Sequence, residues 1–168
     1  MTARAQTAAV RRAAAPLRRL GIAGLALVTP VVLVVTLWPT HFLLRAKPRV
    51  TRGIEWLHAR DLFDWLTWTR LEVLANVAMF VPVALLVTFV LGARRWWATV
   101  IAATALSVAV ELVQALMPGR VAAALDVVAN GLGALLGALL AVAIEALVRR
   151  SRRRARAGRF DAASAERP

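Results

Sequence analysis

Cysteine is absent from the 168-residue chain, and histidine occurs only twice. The lack of cysteine excludes disulfides, zinc–thiolate sites and thiol nucleophiles. His41 and His58 both fall outside the long apolar runs, so we expect no metal site and no cofactor. Acidic residues are scarce as well, because nine Asp and Glu stand against 22 Lys and Arg, giving a formal net charge of +13.

The basic residues are confined to the ends of the chain and to short connections, and the long stretches between them are nearly free of charge. Hydrophobic residues make up 60% of the chain, which is more than a small soluble domain can cover with polar surface. A nucleic-acid-binding domain would place its Lys and Arg on one folded face. Long apolar runs with basic punctuation are typical of membrane proteins, so we expect membrane lipids as partners and no nucleic acid.

Four apolar segments are long enough to cross about 30 Å of hydrocarbon as helices. They cover residues 20–38, 71–91, 98–117 and 121–148. No small-residue cleavage site follows the first segment, so we interpret it as a retained anchor. Between the first two segments, Trp56, Trp65 and Trp68 recur at spacings that suit amphipathic helices at the membrane interface. The sequence therefore predicts an all-α polytopic membrane protein, a bundle of four transmembrane helices with an amphipathic interfacial loop between the first two.

Basic segments flank this predicted bundle at residues 1–19 and 149–168, and we expect the second of them to be disordered. Together with the connection at Arg94 and Arg95, they place 15 Lys and Arg on one side of the membrane and 7 on the other. Cytoplasmic segments carry the excess of basic residues in membrane proteins. The count predicts that both termini are cytoplasmic.

Ionisable and amide side chains interrupt the second, third and fourth predicted spans. An ionisable residue at the centre of a membrane helix costs about 2.5–3.5 kcal/mol on insertion scales, so each one needs a reason. Here the polar residues are paired at spacings of three or four, which places each pair on one helical face. Their depths converge near the turn that joins the last two spans, in the outer half of the predicted bundle. We predict a ligand-binding cluster of Glu72, Asn76, Glu111, Gln114, Arg120, Asp126 and Asn130.

Two glycines four residues apart, Gly133 and Gly137, lie on the fourth predicted span. This spacing allows the backbone of another helix to approach closely. Packing against the second or third span and formation of a homodimer are both compatible with it. The half of the bundle beyond these glycines is predicted to be apolar and capped by arginine.

Several short motifs in the polar half occur in a fixed order. They are NVAMFVP at residues 76–82, Glu-x-x-Gln at Glu111 and Gln114, the turn Pro118-Gly119-Arg120, and Asp-x-x-x-Asn at Asp126 and Asn130. In combination they resemble the VanZ-like family of bacterial membrane proteins, whose best-known member is associated with resistance to the lipoglycopeptide teicoplanin. The resemblance implies a multi-pass protein of the bacterial cell membrane with a role in the cell envelope. The chain departs from the family's pattern at Val83 and Ala84, where Leu-Gly is usual.

The polar cluster has three interpretations that the sequence leaves open. In the first, a non-enzymatic protein binds a lipid headgroup, a lipid-linked wall precursor or a lipoglycopeptide at the outer leaflet. In the second, a membrane-embedded hydrolase acts on a lipid-linked substrate with Glu72, Glu111 and Asp126 as acid–base groups or cation ligands, although no buried nucleophile accompanies them. In the third, the polar residues only hold the helices together.

Overall fold

The chain folds into helices and their connections in a computed structural model that describes residues 3–37, 40–116 and 124–165, and no strand occurs in these ranges. The helices are α1 (Ala3–Leu37), α2 (Thr40–His58), α3 (Trp68–Leu91), α4 (Trp96–Ala115) and α5 (Ala124–Ala165), and a single 3₁₀ turn (Ala93–Arg95) joins α3 to α4. The predicted all-α class is confirmed.

Three helical segments in the described ranges are long and apolar enough to cross a membrane. They are Trp68–Leu91, Ala93–Val113 and Ala124–Arg152, which correspond to the second, third and fourth predicted spans. The first predicted span, residues 20–38, falls mainly within α1. That it crosses the membrane as a fourth span, and that the segment after it lies at the interface, remain predictions.

Close packing of α3 on α5 forms the centre of the bundle. A Cβ atom added at Gly133 or Gly137 would overlap the carbonyl oxygen of Val77 or Val81, so the two backbones touch along this line. Gly133 lies beside Val77 and Gly137 lies beside Val81, so residue numbers increase in the same direction along both helices. Helices α3 and α5 therefore run parallel. The α5 face around these glycines is completed by buried alanines at positions 129, 134, 138 and 141. Both glycines thus pack against α3 of the same chain, and a homodimer through them would have to displace α3.

Two further helices, α1 and α4, run antiparallel to this pair. Ser107 of α4 bonds Asn130 of α5, whereas Thr99, earlier on α4, bonds Thr88 late on α3. In α1, a Cβ at Gly21 would meet Leu86, Phe89 and Val90, whereas the three atoms nearest to a Cβ at Gly24, further along α1, all belong to Leu86. We call the end where α3 and α5 begin the polar end. The opposite end, where α3 finishes and α4 begins, is the basic end.

The segment between the first two predicted spans contains one helix and a short connection. Its first part is α2, and only residues 59–67 connect α2 to α3. His58 Nε2 lies 3.0 Å from the carbonyl oxygen of Leu66, and this contact links the two ends of the connection. The side chain of Thr67 then accepts a hydrogen bond from the Arg70 N–H at 3.3 Å and caps the start of α3.

The basic tail differs from the expectation of disorder, because α5 continues without a break to Ala165. Alanine and arginine are both strong helix formers, and a helix already nucleated by the preceding span extends at little cost. At the other terminus, α1 likewise begins at Ala3, inside the basic segment. The predicted turn around Arg120 falls in residues 117–123, outside the described residues.

Candidate functional site

The candidate site lies at the polar end, where a hydrogen bond joins α3 to α5. The Asn76 Nδ2 atom donates to the Asp126 Oδ1 atom at 2.9 Å, and both side chains are half-buried. These two residues are 50 positions apart in the chain. The amide of the predicted pair on α3 therefore bonds the carboxyl group of the predicted pair on α5.

A second hydrogen bond, one helical turn deeper, joins α5 to α4. Asn130 Nδ2 donates to Ser107 Oγ at 2.7 Å, and both residues are buried. Asn130 follows Asp126 by four residues, so the two side chains lie on the same face of α5. Asn130 is only 9% exposed, and among the residues that the structure describes none donates a hydrogen bond to its buried Oδ1 atom. A buried acceptor that lacks a hydrogen bond lowers the stability of the fold by about 1–3 kcal/mol.

Two further carboxyl groups lie near this pair. Both Glu72 of α3 and Glu111 of α4 are close enough to Asp126 of α5 to interact with it electrostatically. Glu72 is exposed at the rim, whereas Glu111 is half-buried. Because like charges repel strongly where water is scarce, three carboxyl groups this close together favour a partner that carries hydrogen-bond donors or positive charge.

The structure describes the side chains of five of the seven predicted site residues. It brings together Glu72, Asn76, Glu111 and Asp126, with Asn130 one turn deeper. Gln114 is on α4, three residues after Glu111, and its side chain lies outside what is described; Arg120 lies outside the described residues altogether. No group of three or more His, Asp or Glu side chains within the described ranges has a metal-binding arrangement. Ligand binding by the cluster stays a prediction.

A buried carboxyl group at the basic end was not anticipated from the sequence. Glu145 of α5 is 5% exposed; its Oε2 accepts a hydrogen bond from the Ala93 N–H at 2.8 Å, and its Oε1 pairs with Arg149. Nearby, the buried Thr88 and Thr99 hydroxyls bond each other at 3.0 Å. This end is therefore not simply apolar. The only signal in the sequence was the spacing of four between Glu145 and Arg149, which is typical of a helical ion pair.

Comparison of the chain with known proteins found a match to one protein family. The model of the VanZ/LLP1 family matches residues 23–146, which include every predicted residue of the polar cluster. No curated protein and no solved structure matched the chain. The family match covers well over half of the chain and agrees with the motifs of the polar end, so the chain belongs to the VanZ/LLP1 family.

Proposed function

We propose that the protein acts in the bacterial cell envelope by binding a lipid headgroup or a lipid-linked wall precursor in the cluster at the polar end. The observation that carries this proposal is the buried Asn130 Oδ1 acceptor, which no protein donor satisfies in the part of the chain that the structure describes. A bound molecule with a hydroxyl or N–H group would supply the missing donor.

Helix association alone is a weak explanation for the cluster. Hydrogen bonds between membrane helices contribute on average about 0.6 kcal/mol each. A carboxylate in a span, such as that of Asp126, costs about 2.5–3.5 kcal/mol, and Asn130 adds an amide oxygen that no described donor satisfies. The hydrogen bonds from Asn76 to Asp126 and from Asn130 to Ser107 do not offset these two costs. A ligand that bonds several of these groups at once does.

The ligand class follows from the donors and acceptors of the cluster. Carboxyl and amide oxygens accept hydrogen bonds from the hydroxyl groups of sugars and the N–H groups of peptides. In our proposal, Arg120 supplies the positive partner for a phosphate. Sugar, peptide and phosphate together make up a lipid-linked wall precursor. Such binding at the outer leaflet would limit access of teicoplanin to the precursor.

The proposal is tested by expressing the full chain in a teicoplanin-susceptible bacterial host and measuring the minimum inhibitory concentration. We expect the wild-type chain to raise it and alanine variants of the cluster to return it to the value of the empty host. The variants are Glu111→Ala, Gln114→Ala, Arg120→Ala, Asp126→Ala and Asn130→Ala. Mass spectrometry of the purified protein should find a lipid-linked precursor with the wild type and less of it with each variant.

Thr88→Val is the matched control, because it deletes another buried hydrogen bond between helices, 3.0 Å long, but far from the cluster. We expect this variant to keep full protection at a normal membrane level. Equal loss of protection in Thr88→Val would mean that the cluster only holds helices together. Full protection in all five cluster variants, or no protection by the wild type, would contradict the proposal.

A further inference from the structure

Three separate segments place exposed arginines at the basic end. The six residues are Arg18 and Arg19 of α1, Arg94 and Arg95 of the 3₁₀ turn, and Arg149 and Arg150 of α5, which we call the arginine ring. Along the chain, residues 16–22, 92–98 and 141–155 contain one acidic side chain, Glu145. The charge of this end is therefore almost entirely positive.

Packing contacts bring the three segments to one level of the bundle. Gly21 of α1 packs against the last two turns of α3, at Leu86, Phe89 and Val90, so the arginines just before Gly21 lie beside the end of α3. Gly92 then ends α3 with a φ of 85°, and the 3₁₀ turn follows at once. The arginines thus surround one end of the bundle although they are far apart in sequence.

Glu145 connects two of these segments from the inside. This buried carboxyl group accepts the Ala93 N–H at 2.8 Å and also pairs with Arg149 one turn further along α5. It therefore holds the start of the 3₁₀ turn, and with it Arg94 and Arg95, at a fixed distance from α5. Groups that are held in place in advance lose less conformational entropy when they bind a ligand. The arginine ring is a built arrangement rather than a run of charges in a flexible tail.

Trp97 indicates where the arginine ring lies relative to a membrane. This residue is 54% exposed and follows Arg95 by two positions. Tryptophan is enriched where membrane helices reach the headgroup layer. Guanidinium groups bind phosphate oxygens in a bidentate manner, which makes arginine well suited to a phosphodiester at that depth.

We propose that the arginine ring is a binding site for the phosphodiester headgroups of anionic phospholipids, with Glu145 as a positioning residue. Arg94, Arg95 and Arg150 bind the phosphate, and Glu145 sets the spacing between the 3₁₀ turn and α5. Because the ring is composed of arginine pairs on separate segments, a lipid with two phosphates engages more than one pair. It binds more tightly than a lipid with one phosphate. This site is at the opposite end of the bundle from the polar cluster and does not depend on its function.

The test uses the purified full chain in detergent micelles with added cardiolipin, phosphatidylglycerol or phosphatidylcholine. Affinity is measured as the lipid concentration that gives half of the maximal rise in Tm. We expect tighter binding of cardiolipin than of phosphatidylglycerol and no rise with phosphatidylcholine. In the double variant Arg94→Gln with Arg95→Gln, affinity for cardiolipin should fall about tenfold or more, since each basic residue contributes about one kcal/mol at an anionic surface.

The matched control, Arg49→Gln with Arg52→Gln, removes the same charge from exposed positions of α2 and should keep the wild-type affinity. Equal losses in both double variants would reduce the effect to general charge attraction and overturn the proposal, as would an equal response to phosphatidylcholine. If the first double variant does not fold without lipid, the single variant Arg150→Gln at an exposed position takes its place.

Glu145→Ala separates positioning from charge. Removing a negative charge makes this end more positive, so a purely electrostatic surface would bind cardiolipin more tightly. If Glu145 positions Arg94 and Arg95 through the Ala93 N–H, the same variant binds severalfold more weakly. Tighter binding would refute the positioning role.

Discussion

At the level of single residues, Gly133 and Gly137 determine how closely α5 approaches α3. A side chain at either position would meet a backbone carbonyl oxygen, of Val77 or Val81, rather than the flexible end of a side chain. Backbone atoms cannot move aside without moving the whole helix. In membranes, where lipid tails are as apolar as the helix surfaces, such close backbone contact is itself a main source of helix association.

Gly137→Ala should therefore lower the free energy of unfolding by about 1–3 kcal/mol, the usual cost of forcing extra atoms into a packed interface. Gly131→Ala is the control on the same helix, because its Cβ would meet only the Thr104 hydroxyl at 3.3 Å. We expect a change of less than about 1 kcal/mol there, since that side chain can give way. Unfolding with SDS in mixed micelles, followed by circular dichroism, measures both. Equal stability of the two variants would show that α3 and α5 are not in backbone contact.

At the level of elements, the connection between α3 and α4 depends on a third helix. The Ala93 N–H has its partner in the Glu145 carboxylate, 52 residues later in the chain. Unsatisfied N–H groups at the start of a helical turn otherwise require a nearby capping side chain or water. Glu145 supplies this cap from α5 and so ties the connection to the bundle.

Glu145→Ala should make the Ala93 amide exchange its proton faster by about tenfold or more, since loss of a hydrogen bond to a charged group is worth about 1.5–3 kcal/mol. Glu145→Gln keeps an amide oxygen as acceptor and should retain most of the protection. Hydrogen exchange measured by NMR in micelles reads this amide directly, with the amide of Ala141 in the middle of the span as an internal reference. Unchanged exchange in Glu145→Ala would contradict the capping role.

The elements that follow from hydropathy were largely predictable, and those set by other forces were not. Residues 71–91 and 98–117 correspond closely to α3 (Trp68–Leu91) and α4 (Trp96–Ala115), because a span must be an uninterrupted apolar helix. Hydropathy carries no such information about the tail, where charge favours solvent but helix propensity extends α5 to Ala165.

The candidate site was likewise predictable in part from the sequence. Spacings of three and four predicted that the polar residues of each span share one helical face, and the tight turn predicted around Arg120 required the last two spans to be neighbours. The convergence of the polar residues could therefore be expected. The specific partners could not, because a hydrogen bond between α3 and α5 depends on helix rotation set by the Gly133 contact with Val77. Glu145 was missed because its main partner is a backbone N–H, which leaves no mark in a sequence.

At the scale of the whole molecule, the two ends of the bundle differ in chemistry. The polar end gathers carboxyl and amide groups around Asp126, whereas the basic end is surrounded by the arginine ring. Parallel packing of α3 and α5 produces this difference, because both helices begin at the polar end and finish at the basic end. Such unlike ends predict a preferred direction in the membrane, and the excess of basic residues predicts that the basic end is the cytoplasmic one.

Labelling of single cysteines tests both this direction and the predicted fourth span, and the chain has no native cysteine to interfere. Four crossings with both termini in the cytoplasm require Ala5→Cys and Ser151→Cys to react with a membrane-impermeant maleimide only after the inner membrane is permeabilised. Ala59→Cys, in the connection from α2 to α3, should react in intact cells. If α1 does not cross the membrane, Ala5→Cys will instead react from the same side as Ala59→Cys. The reverse pattern at all three positions would keep the four crossings and overturn the orientation, because positive charge would then have failed to decide it.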